Sequence, residues 1–156
     1  MAETNSYTDK NGIRYSVYPP TKHLTFDYWI YMVPQYKPAS VLMLGYAGGT
    51  VAGLIRLLYG DVPITAVDIA PCENDRYGVN LIQADAREYI KTCGHFDSVI
   101  VDLFTEAERF CDFITDKEFV ANLKRIANYI IVNTDGSKDM SAYDRFRKIG
   151  VNQPSG

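Results

Sequence analysis

The sequence predicts an α/β fold, a doubly wound parallel sheet with helices on its faces, and three observations carry that prediction. Apolar runs of strand length alternate with stretches of helical period. A glycine-rich turn, Leu44-Gly45-Tyr46-Ala47-Gly48-Gly49-Thr50, joins the first such run to the first such stretch. Two of the following runs end on an aspartate, Asp68 and Asp102. At 156 residues the chain is long enough for one domain with its own core. We divide it into an N-terminal arm, residues 1–22, and one nucleotide-fold domain, residues 23–156.

The elements follow in order. Residues 1–12 are polar and contain Asn11-Gly12, which predicts a loose arm ending in a turn. Arg14 to Tyr18 is a short strand stopped by Pro19-Pro20, and Leu24, Tyr28 and Tyr31 recur at helical spacing. That spacing predicts a helix from about Thr21 to Met32, ended by Pro34. Val41-Leu42-Met43-Leu44 is apolar at every position, as a strand buried on both faces must be. Val51, Leu54, Ile55 and Leu58 then make the stripe of a helix lying on the sheet. Ile64 to Val67 is a second strand ending at Asp68. Val79 to Ile82 is a third, followed by a helix over about Ala86 to Lys91. Ser98 to Val101 is a fourth, ending at Asp102. Thr115 and Glu118 have the spacing of a capping box and open a helix carrying Phe119, Leu123 and Ile126. Tyr129 to Asn133 is the fifth strand, and a short helix covers roughly Ala142 to Arg147. Right-handed crossovers give a compact Rossmann-like sheet of order 3-2-1-4-5, truncated after strand five because few residues remain.

Composition narrows the function classes. A net charge of −3 disfavours a dedicated nucleic-acid binder. Cys72, Cys93 and Cys111 are odd in number and widely spaced, which fits buried thiols in a reducing compartment. His23 and His95 have no ligand-spaced neighbours, so no metal site is expected. No basic-then-apolar leader and no apolar run of about 18 residues is present, so we expect a cytoplasmic protein without a membrane span. Six of the twelve tyrosines lie between Tyr7 and Tyr36. They serve either as amphipathic packing or as a stacking and oligomer surface. A sheet edge left at strand five, with the tyrosines from Tyr15 to Tyr36 to cover it, predicts a homodimer.

Ligands of an open parallel sheet bind outside the carboxyl ends of its strands, where the winding reverses. Gly45, Gly48 and Gly49 let the backbone turn tightly and lie against a ligand there, and the helix that follows presents N–H groups to an anion. Asp68 is placed to accept from ribose hydroxyls, or else is a solvated strand-end acid. Asp85 with Glu88 has the spacing of a helix N-cap and its reciprocal acid, and it is also placed to accept from an adenine amino group. The two roles are compatible. The dinucleotide fingerprint G-x-G-x-x-G fails in this loop at its second and third glycines, where Ala47 and Thr50 stand. The α/β-hydrolase elbow and the P-loop are both absent.

These motifs resemble the spermidine-synthase-like branch of the class I S-adenosylmethionine-dependent methyltransferases. The resemblance runs through Val41 to Thr50, Asp68, Asp85, Phe96 to Phe104, Thr115 to Phe119, and Val132-Asn133, and spans about residues 28–134. It implies S-adenosylmethionine as cofactor. Gly45, Ala47 and Gly49 would lie against its methionine portion, Asp68 on the ribose and Asp85 at the adenine, with Tyr46, Gly48, Ile69 and Ala86 completing the cofactor site. Asp102 matches the acid that helps deprotonate the attacking amine in aminopropyltransferases. Tyr28, Thr105 and Glu106 fall on the substrate side. Three departures disfavour polyamine synthesis. Tyr46-Ala47 stands where those enzymes carry an aspartate, Trp29-Ile30 where they carry histidine and glutamate, and residues 1–22 are too short for their N-terminal β-domain.

The expected function is therefore a compact S-adenosylmethionine-dependent methyltransferase of unknown acceptor. Asp102 is its substrate orienter or base, unless it is only a strand-end acid. Methyl transfer from a sulfonium is an in-line displacement that positioning and charge can carry. An aminopropyltransferase-like enzyme is the second expectation. A non-catalytic nucleotide-fold module that binds a partner is the third.

Overall fold

The computed structural model describes residues 5–8, 14–18, 29–46, 49–71, 77–104, 111–134, 139–143 and 147–150. In the arm, β2 (Arg14–Tyr18) is the strand expected there, and it pairs antiparallel with β1 (Asn5–Thr8), which lies where a loose segment was expected. Pairing gives the backbone groups of both strands partners. A short helix, α1 (Trp29–Met32), precedes the domain's first strand; the start expected for it near Thr21 lies outside the described residues.

The domain then runs β3 (Val41–Leu44), α2 (Thr50–Tyr59), β4 (Ile64–Asp68), β5 (Asn80–Gln83), α3 (Ala86–Thr92), β6 (Phe96–Val101), α4 (Lys117–Ile126), β7 (Ala127–Thr134) and β8 (Arg147–Gly150). These strands form one sheet ordered β5-β4-β3-β6-β7-β8, every neighbouring pair parallel. Its first five strands have the expected 3-2-1-4-5 order, and the fold is Rossmann-like. β3 is central and buried throughout, which is why its sequence has no alternation. Val41 and Met43 face the layer formed with α1 and α2, and Leu42 and Leu44 face the layer under α3 and α4.

Three expectations need correction. The sheet is not truncated after strand five, because β8 pairs with β7 from Ile131 to Thr134. The segment expected as a helix over Ala142–Arg147 makes one 3-10 turn, Ser141–Tyr143, before the strand. Tyr143 explains this: its ring is fully buried and its hydroxyl donates to the carbonyl of Ile114. One deep anchor, rather than a stripe, pins the chain and returns it to the sheet. Burial pushes the Tyr143 phenol well above its usual range. β7 is thus an inner strand, and β8 is the edge on that side of the sheet. Finally, Thr115 closes a 3-10 turn, Asp112–Thr115, and its hydroxyl donates to Asp112 O at 3.2 Å. The N-cap of α4 is Asp116, which makes no side-chain capping bond, so the capping box does not form.

Polar ties hold the amino edge of the sheet. Asp97 accepts from Ala39 N at 2.8 Å and from Asn128 Nδ2 at 3.1 Å, and the first of these bonds chiefly holds its carboxyl below the usual range. Tyr46 and Tyr143 are packing tyrosines, whereas Tyr31, Tyr36 and Tyr129 are exposed, the last two in edge-to-face contact at 5.0 Å. Cys93 and Cys111 are free thiols and only partly buried, and desolvation raises Cys93; Cys72 lies outside the described residues. Among the described residues no helix is long and apolar enough to cross a membrane.

Candidate functional site

Parallel register builds the site. Leu44 pairs with Val67 on one side and Val101 on the other, Val101 pairs with Val132, and Asp68 pairs with Gln83. The next residue along each strand therefore falls in one row across the carboxyl edge: Gln83, Asp68, Gly45, Asp102, Asn133. The row centres on the switch point, where the order reverses between β3 and β6. Two carboxylates flank a residue without a side chain.

That gap is obligatory. Gly45 has φ +91°, and a Cβ there would lie 2.1 Å from the carbonyl oxygen of Asp102. Gly45 N donates to Val67 O at 2.8 Å, and Asp102 N donates to Leu44 O at 2.9 Å. The backbone of β3 is thus drawn against the end of β6, leaving a notch between the acids. Gly49 begins α2 with φ +83°, and a Cβ there would lie 2.6 Å from the Tyr46 hydroxyl and 3.1 Å from the Tyr77 ring. Two tyrosine rings therefore pack against the start of α2.

The two predicted cofactor acids already have protein partners. Asp68 accepts from Tyr46 N at 2.9 Å and from Ala70 N at 3.0 Å, which ties the glycine turn to the end of β4. Asp85 is the N-cap of α3 and accepts from Arg87 N at 2.8 Å. The Arg87 side chain grips the same carboxylate at 2.8 Å and holds it below its usual range. The Arg87 guanidinium also lies 4.6 Å from the centre of the Phe113 ring. The capping role of Asp85 is realised; its expected reciprocal acid is not, since Glu88 pairs with Lys91 at 3.0 Å instead.

The remaining predicted residues are spread over core and surface. The side chains of Tyr46 and Ala86 are buried in opposite layers, so what Tyr46 brings to the edge is its backbone N–H. Ile69 is 71% exposed beside Asp68, and Phe104, two residues past Asp102, is 46% exposed. Cys111 N donates to Leu103 O at 3.2 Å, so Cys111 sits beside the Asp102 end of β6. Thr105 and Glu106, together with Ala47, Gly48 and Tyr28, lie outside the described residues.

Sequence reasoning missed one participant, Asn133, and one support outside the site, Arg56. Asn133 Nδ2 donates to Asp102 Oδ1 at 2.8 Å. Its signal was present, since Asn133 stands just past the apolar run Ile130-Ile131-Val132, much as Asp102 stands past Val99-Ile100-Val101. Arg56 left less of a signal. Its guanidinium donates to the carbonyls of Tyr77 at 2.7 Å, Gly60 at 3.1 Å, Gly78 at 3.2 Å and Val62. It thereby fastens α2 to the β4–β5 connection that carries Tyr77.

The chain matches no known family model and no curated protein.

Proposed function

We propose that the protein is an S-adenosylmethionine-dependent transferase, acting as a methyltransferase, with its cofactor in the crevice above Gly45. The row Asp68–Gly45–Asp102 carries this reading: a backbone notch at the switch point, flanked by two acids, suits a ligand bearing both hydroxyls and a positive centre. The residues present fit the group. Gly45 leaves bare backbone between the two acids, Asp68 offers acceptors for a diol, and exposed Ile69 offers a surface for an adenine ring. When bound, the cofactor supplies an electrophilic methyl group on a sulfonium. Asp102, across the notch from Asp68, orients an acceptor and takes its proton, while its negative charge favours a cationic centre nearby.

Binding is tested first. S-adenosylmethionine or S-adenosylhomocysteine at a hundred times Kd should add about 2.7 kcal/mol, raising the melting temperature by roughly 5–11 °C; NAD should add nothing. Asp68→Asn should weaken S-adenosylhomocysteine about ten- to hundredfold by calorimetry, because it removes a charge-assisted acceptor. An unchanged affinity would place the ribose elsewhere.

A specific observation favours a second reading, a nucleotide-fold module that binds a partner and catalyses nothing. Asp68 and Asp85 both hold donors of the protein itself. A flat melting curve with both sulfur ligands, confirmed by calorimetry, would select the module.

A further inference from the structure

The buried amide beside Asp102 is the feature that packing explains least. Asn133 sits in β7, 1% exposed, in a strand whose neighbouring positions Ile130, Ile131 and Val132 are all buried and apolar. Its Nδ2 donates to Asp102 Oδ1 at 2.8 Å, while its Oδ1 is buried with no hydrogen-bond partner. A buried amide oxygen without a donor is destabilising, and an apolar side chain of similar size would remove that cost. The bond to Asp102 is what the amide gains in exchange. Its orientation has a reason too: with the groups reversed, an amide oxygen would face a carboxylate oxygen, two acceptors together.

We infer that Asn133 is a positioning residue, holding the Asp102 carboxylate in one orientation and favouring its anionic form at the edge of the notch. The bond is charge-assisted and part-buried, with the amide itself 1% exposed, so it is stronger than its surface equivalent. What Asp102 then does rests on the transferase reading; how Asn133 acts on it does not.

The test follows the titration of the Asp102 carboxyl by carbon-detected NMR in the ligand-free protein, for the wild type and two variants. Asn133→Leu removes the donor and the orphan acceptor together. The midpoint should rise by about one pH unit, while the melting temperature stays level or increases. Asn133→Asp keeps the shape but places two carboxylates side by side, so the pair should bind a proton at a higher pH than Asp102 does in the wild type. An unmoved midpoint in either folded variant would overturn the inference. So would a fall in melting temperature for Asn133→Leu without a shift, the mark of a purely structural amide. Should S-adenosylhomocysteine fail to bind, the transferase reading falls, and this titration still decides the role of Asn133.

Discussion

Gly45→Ala should cost about 2–5 kcal/mol of stability and abolish whatever binds above the central strand. Two independent penalties meet at this position. A φ of +91° is one an L-residue tolerates poorly, at roughly 1–2 kcal/mol. The added methyl would also lie 2.1 Å from the Asp102 carbonyl oxygen, and that atom is backbone, so no side-chain rotation relieves the overlap. Relief requires β3 and β6 to part at their carboxyl ends, against the Asp102 N to Leu44 O bond of 2.9 Å. Over-packing of this kind adds about 1–3 kcal/mol. Thermal denaturation should show a fall of roughly 4–20 °C for a chain of this length. Gly94→Ala is the control, since its added Cβ meets nothing within 4 Å, and it should stay within about 0.5 kcal/mol of the wild type. Equal behaviour of the two variants would show that β3 and β6 are not drawn together as described.

Arg56→Met should be the next most damaging substitution, at about 3 kcal/mol, although Arg56 lies outside the site. Methionine keeps much of the aliphatic stem and loses all four carbonyl contacts. Water can replace the guanidinium at the exposed Gly60 and Gly78 oxygens, but less well at the part-buried oxygens of Tyr77 and Val62. Arg56→Lys should recover less than half of the loss, because a single ammonium cannot span acceptors on three sides. Tyr77, whose carbonyl takes the 2.7 Å bond, places its ring against Gly49. Loosening it should therefore disturb the start of α2 as well as global stability, which hydrogen exchange of the α2 amides would detect. Unchanged exchange there would separate Arg56 from the site.

The central strands, their order and the glycine turn were legible in the sequence because each is fixed by local chemistry. An unbroken run such as Val41–Leu44 fits only a strand covered on both faces, and the 3.6-residue stripe of α2 fits only a helix with one. Gly45, Asp68 and Asp102 were legible for the same reason: each stands where a run stops. The legible part ended where long-range contacts decide. Thr115 and Glu118 have the spacing of a capping box, but a 3-10 turn one step earlier takes the threonine hydroxyl. The tail read as helical, but Tyr143 is buried against Ile114, 29 residues away in sequence, and the chain continues as β8. Asn133 read as the end of a strand, and only the parallel register of β6 and β7 brings it to Asp102. Arg56 was not singled out from the sequence, and only the tertiary fold brings carbonyls from both sides of β4 into its reach. Sequence by itself determined the central strands, the helices between them and the turn at Gly45, because periodicity and the missing Cβ act over a few residues. Tertiary structure alone decided which side chains meet, because a hydrogen bond depends on positions set by packing between segments far apart in the chain.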